Sequence, residues 1–168
     1  MPDNRSSTEP EAHVLLDQAV LQLMLDYDRQ RPWSESEIAR MISTPGDIPA
    51  SLARLHAAGI IHRWSDLMTA THAAVYFHEI TQSLDSTAEG EHHDDSAVLN
   101  SLIARANDDE GPLSEQEIGK AFDAAKRKLK ARITDALDRL DGAGLIERHD
   151  GRSIASEVAM YLDRILTL

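Results

Sequence analysis

The chain has 168 residues, 42% of them apolar and only 4% aromatic, which allows one ordinary domain or two small ones with a core built from Leu, Ile, Ala and Val. Seventeen basic residues against twenty-nine acidic ones give a formal net charge of -12, which excludes a general nucleic-acid coat, because neutralising phosphates needs a cationic surface. There is no cysteine, and so no disulfide, thiol nucleophile or Cys-ligated zinc.

In chain order, residues 1–11 read as a polar tail. Val14, Leu16, Val20, Leu23, Met24 and Tyr27 recur at helical spacing and predict a first helix over His13–Tyr27. The apolar run within it, Val14–Leu25, is short, carries Asp17 and lacks a cleavage-site flank. That makes it a helix of the fold rather than a signal peptide or a membrane span, and a cytoplasmic chain is expected. Ser34, with Glu37 three residues on, has the capping-box pattern of a helix start. A third helix is predicted over Asp47–Ala58, with Ile48, Leu52 and Leu55 on one face and Gly59 as its stop. Ile60–Trp64 reads as a strand, Ser65-Asp66 as a turn and the next four residues as a return strand. Thr71 then caps a closing helix carrying Tyr76, Phe77 and Ile80.

The sequence then repeats itself. Residues 48–80 align without a gap to 133–165, and twelve of the 33 pairs are identical, among them Arg54 with Arg139 and Tyr76 with Tyr161. Pro32–Ile38 answers Pro112–Ile118 with five identities in seven. Two copies of one small domain explain this pattern, at residues 12–82 and 96–168. Between them, residues 83–95 are polar and acidic and read as a linker, because they carry too little apolar surface to offset their ordering entropy. In the second copy the first helix is placed at Ser96–Ala106, Ser114/Glu117 forms the capping box, and the third helix runs from about Leu129 to Ala143. Gly144 stops it, Asp150-Gly151 makes the hairpin turn, and Ser156 caps the closing helix. Gly119 is the one Gly or Pro between Leu113 and Asp141, and the second helix can run on past it into Ala124 and Ala125.

The expected fold class is mainly α with small β-hairpins (α+β). The passages Ile48-Pro49-Ala50-Ser51-Leu52-Ala53-Arg54-Leu55-His56-Ala57-Ala58-Gly59-Ile60-Ile61 and Ile133-Thr134-Asp135-Ala136-Leu137-Asp138-Arg139-Leu140-Asp141-Gly142-Ala143-Gly144-Leu145-Ile146 resemble small bacterial regulators of the MarR and PadR kind. With Ser34–Ala39 opening the second helix, the resemblance implies two tandem winged-helix domains and covers nearly everything but the tail and linker. It further implies a third helix that enters the major groove and a wing that touches the DNA backbone.

Carried over residue by residue, that role suits only one copy. In copy one the positions that would face DNA are Thr44, Pro45, Asp47, Pro49, Ala50 and Ser51, none of them basic. In copy two the stretch contains Lys126, Arg127, Lys128, Lys130, Arg132 and Thr134, and the wing adds Arg152. Residues 1–84 hold six bases and eleven acids, whereas Lys120–Arg132 holds six bases and one acid. The predicted DNA-contacting set is therefore Lys126, Lys128, Lys130, Arg132, Thr134 and Arg152, with Arg132 and Thr134 reaching base edges. The plainer reading of this run is a solvated helix face.

Other constellations carry less. Glu91, His92, His93, Asp94 and Asp95 are metal-ligand types, but a linker offers no scaffold to fix their geometry, so no metal is expected. There is no phosphate-cradling glycine loop, no cofactor is implied, and two half-sized domains offer no deep cleft for catalysis. Trp33 and Trp64 lie beside matched core positions and are expected to pack. The first helix is apolar around more of its circumference than one small domain buries, which leaves the rest to the second copy or to a second chain, a homodimer or a protein partner. Ile165–Leu168 reads as a docked end. The leading reading is a DNA-binding transcriptional regulator of dimeric type acting on double-stranded DNA. The alternative is an acidic tandem winged-helix adaptor that assembles proteins without touching DNA.

Overall fold

The computed structural model describes residues 9–26, 31–82, 91–122 and 127–166. In chain order the first copy contains α1 (Glu9–Asp26), β1 (Trp33–Ser34), α2 (Glu35–Met41), α3 (Ile48–Ala57), β2 (Ile61–Trp64), β3 (Leu67–Ala70) and α4 (His72–Gln82). The second repeats the order with α5 (Glu91–Asn107), β4 (Leu113–Ser114), α6 (Glu115–Ala121), α7 (Arg127–Gly142), β5 (Ile146–His149), β6 (Arg152–Ala155) and α8 (Glu157–Leu166). The fold is mainly helical with two small antiparallel sheets, of strand order β1-β3-β2 and β4-β6-β5. Among the described residues, those up to Val75 together with Arg164 onward form one compact unit, and Tyr76–Asp163 form the other.

Local chemistry sets the element ends in both copies alike. Ser34 Oγ accepts the Glu37 N–H at 3.3 Å while the Glu37 carboxylate accepts the Ser34 N–H at 3.0 Å. Ser114 and Glu117 repeat the exchange at 3.3 and 2.8 Å. Asp47 caps α3 by accepting the Ala50 N–H at 3.1 Å, with Pro49 in the first turn, where its missing N–H costs nothing. Both third helices close through a left-handed glycine. Gly59 and Ile60 donate to His56 and Leu55, and Gly144 and Leu145 donate to Asp141 and Leu140, the paired bonds of a Schellman end. The Thr71 hydroxyl donates to the Gly59 carbonyl and accepts the Ala74 N–H; Ser156 does the same with Gly144 and Ala159. One side chain thus ties each helix stop to the start of the closing helix.

The capping boxes carry a pH dependence. Hydrogen bonds from the Ser34 amide and then its hydroxyl hold the Glu37 carboxyl below the usual carboxylate range, and the Ser114 hydroxyl and then its amide do so for Glu117. A folded-state pKa below the unfolded one adds stability that is fully present above the unfolded value of about 4.3 and is lost as pH falls through the folded one. The Glu37→Gln/Glu117→Gln variant should therefore have a lower urea midpoint than wild type at neutral pH, with the gap closing in acid. An equal gap at both ends would show that these carboxylates carry no such linkage.

Each core follows the helical and strand periodicities. In the first unit Leu16, Val20 and Met24 of α1, Ile38 of α2, Leu52 and Leu55 of α3, and Ile61 and Met68 of the hairpin are buried. In the second, Val98, Leu99, Leu102, Ile118, Ile133, Leu137, Leu140 and Ile146 are buried. Gly46, in the turn before α3, has φ +153°, and a Cβ there would lie 2.6 Å from Leu16 Cδ2. The backbone of this turn is thus the floor on which a core leucine of α1 rests.

Several expectations need correction. Glu91–Asp95, read as linker, form the first turns of α5, where Asp94 and Asp95 find arginine partners on α7. Along α1, Leu16, Val20, Leu21, Met24 and Leu25 are buried, and Leu15 is exposed. Trp33 is buried as expected, but Trp64 is 59% exposed, because β2 is an edge strand with one face outward. β1 and β4, two residues each, pair with the return strands; they are too short to leave a periodic signal. α6 ends at Ala121 and α7 starts at Arg127, earlier than Leu129; Ala124 and Ala125 lie outside the described residues. Ile165 is fully buried, in keeping with a docked end, while residues 167 and 168 also lie outside them. No helix among the described residues is long and apolar enough to cross a membrane.

Candidate functional site

The most ordered polar feature is duplicated. In the first unit Asp17, buried on α1, accepts from Ser51 Oγ at 2.6 Å and from Arg54 Nη2 and Nε at 2.6 and 3.0 Å. In the second unit Asp95, wholly buried on α5, accepts from Arg139 Nη2 at 2.6 Å and Nε at 2.9 Å, and also from the Tyr76 hydroxyl. Arg54 and Arg139 are repeat counterparts. Superposing Val20 and Leu21 on Val98 and Leu99 makes Asp17 and Asp95 counterparts too. Each third helix is therefore clamped to the first by one buried aspartate–arginine pair. The hydrogen bond to Asp95 is the largest influence pushing the Arg139 pKa up, and burial followed by Asp95 pushes up that of Tyr76. Tyr76 thus stays a donor and Arg139 a cation across the working range. This constellation fixes geometry and offers no nucleophile or transferable proton.

The predicted DNA-contacting residues are placed as follows. Lys126 lies outside the described residues. Lys128 falls in the first turns of α7, and Lys130 is exposed on that helix. Arg132 points its guanidinium at Asp94 of α5, with Nε–Oδ2 and Nη2–Oδ1 both 2.6 Å. Thr134 Oγ1 donates to the Glu115 carboxylate and lies 3.0 Å from the Lys130 carbonyl. Arg152, at the start of β6, donates from Nη1 to the Pro112 carbonyl at 3.1 Å. The two residues assigned to base edges thus sit beside carboxylates from two different helices.

Sequence reasoning missed Asp94 and Glu115. Farther along α7 the exposed side chains are Asp135, Asp138 and Asp141, so basic residues crowd the start of the helix and acidic ones its end. Asp138 in turn accepts from Arg148 Nη1 at 2.5 Å. On α3 the exposed positions are Pro49, Ala53, His56 and Ala57, with no lysine or arginine among them. Among the described residues no group of three His, Asp or Glu side chains is positioned to hold a metal ion. His92 lies edge-on to Tyr76 at 5.9 Å between ring centroids.

Comparison of the chain with protein-family models, with curated proteins and with solved structures finds no match.

Proposed function

We propose that the chain is a tandem winged-helix protein whose two copies serve protein assembly, as a non-catalytic adaptor. The winged-helix reading is supported by the order helix, short strand, helix, helix, hairpin, helix in each copy. It is also supported by sheets in which the strand after the first helix pairs with the return strand of the hairpin. The observation that carries the adaptor over the regulator is the pairing of Arg132 with Asp94 and of Thr134 with Glu115. An exposed ion pair is worth at most about 1 kcal/mol, so phosphate could draw Arg132 away. Asp94, Glu115 and Asp135 would then stand uncompensated where the polyanion must lie, and that repulsion opposes binding.

The DNA-binding reading retains one favourable observation, the exposed Lys130 in a basic opening segment of α7. Fluorescence polarisation with random duplex DNA at low salt, about 50 mM, separates the two, since phosphate contacts are strongest there. The adaptor reading expects no saturable binding. Saturable binding that is abolished by Lys128→Glu/Lys130→Glu/Arg132→Glu would overturn it in favour of a regulator that contacts DNA through its second copy.

A further inference from the structure

The two clamps differ in where a hydroxyl donor comes from. In the first unit the third helix supplies one itself, Ser51 Oγ at 2.6 Å from Asp17. The repeat aligns Ser51 with Ala136 of α7, which is fully buried and has no hydroxyl to donate. Asp95 accepts from the Tyr76 hydroxyl instead. Tyr76 stands on α4, the closing helix of the first copy, and its ring meets His92 of α5 edge-on. α4 is one unbroken helix over His72–Gln82, yet the compact unit that holds α5 and α7 begins within it, at Tyr76. The start of α4 is tied into the first copy. Thr71 Oγ1 donates to the Gly59 carbonyl and accepts the Ala74 N–H, and the Thr71 carbonyl accepts the Val75 N–H.

We infer that Tyr76 couples the two copies energetically: the clamp on α7 is complete only while the closing helix of the first copy is folded. Asp95 is wholly buried, so each donor to its carboxylate counts. A hydrogen bond to a charged group shifts an opening equilibrium by roughly ten- to a hundredfold. Opening of the first copy releases Thr71, α4 loses the cap on its first turn, and Tyr76 leaves Asp95. Arg139 then holds α7 to α5 without that hydroxyl. By linkage the effect is reciprocal, so whatever tightens α7 on α5 also stabilises α4 and, through Thr71, the first copy. Tyr76 is thus a positioning residue that acts through Asp95. The helix it positions presents Asp135, Asp138 and Asp141 to solvent, so a partner bound to one copy alters the readiness of the other. This goes beyond the adaptor reading and does not depend on whether the partner is protein or DNA.

Native-state hydrogen exchange on the full chain tests it, with the amides of α3 and α7 read separately. Tyr76→Phe keeps the ring and removes the donor, and should speed exchange in α7 by roughly tenfold or more. Adding Ala136→Ser gives α7 the hydroxyl that α3 already has and should restore most of that protection. Leu52→Ala, in the core of the first copy, should speed exchange in α3 by about 30-fold or more, and in α7 as well. On the Tyr76→Phe/Ala136→Ser background the same lesion should act on α3 and reach α7 far more weakly. The α7 amides report even where Leu52→Ala unfolds the first copy outright. Exchange in α7 that ignores Leu52→Ala in the otherwise wild-type chain overturns the inference. So does a Tyr76→Phe loss that Ala136→Ser fails to restore, or a lesion that reaches α7 equally on both backgrounds. Since the DNA titration reads exposed charge and exchange reads a buried clamp, failure of one reading does not imply failure of the other.

Discussion

Replacing Arg139 with methionine is expected to destabilise the protein by about 3 kcal/mol, the low end of the range for breaking a buried ion pair. The low end applies because the arginine side chain is 31% exposed while Asp95 is fully buried. Methionine keeps most of the aliphatic stem but leaves the Asp95 carboxylate with the Tyr76 hydroxyl as its partner in the cluster described above. At this chain length such a loss lowers the melting temperature by roughly 6–12 °C. The pairing itself is measured by adding Asp95→Leu. With the charge gone, the Arg139→Met/Asp95→Leu variant should recover a good part of the loss, since apolar replacement of a whole buried pair is often close to neutral. Additive losses from the two substitutions would mean that Asp95 and Arg139 do not act as a pair.

The second large effect is at Gly46. Substitution by alanine is expected to cost about 2–3 kcal/mol, because the new Cβ overpacks a filled core and the positive φ disfavours any side chain. The clash is with Leu16 Cδ2 at 2.6 Å, and Leu16 is itself buried, so the methyl has little room to retreat. With a urea slope of about 2 kcal/mol per molar, the unfolding midpoint should drop by roughly 1 M. If the cause is steric, Gly46→Ala on a Leu16→Ala background should cost distinctly less than on wild type. An unchanged cost would assign the effect to the backbone conformation alone.

These two sites also show where the sequence was legible. The capping boxes at Ser34 and Ser114, the glycine stops at Gly59 and Gly144, and the Asp150-Gly151 turn are local signals, each satisfied within a few residues, and the repeat displayed every one of them twice. The clamps are not local. Asp95 reaches Arg139 across 44 residues and Asp94 reaches Arg132 across 38. Read by composition alone, Glu91–Asp95 therefore looked like linker, although Asp94 and Asp95 are what the third helix of the second copy holds. A signal was present: aligning Val20-Leu21 with Val98-Leu99 brings Asp17 onto Asp95, and the arginines already matched. The direction of Trp64 was hidden for a different reason. Alternation along β2 says which side chains share a face, but which face is covered depends on the helices packed against the sheet, and period-two pattern carries no information on that.

The charge order along α7 has a kinetic meaning. Its first turns hold basic residues and no acid, while Asp135, Asp138 and Asp141 gather toward its end. This is the reverse of what the helix dipole favours, at a cost of some tenths of a kcal/mol for each misplaced charge. Left alone, this segment nucleates poorly, because its sequence opposes the very first hydrogen-bonded turns. Its helicity is then acquired together with the docking of α5, when Asp94 and Asp95 arrive to meet Arg132 and Arg139. In the second copy, local order and tertiary order are therefore expected to be gained in one cooperative step.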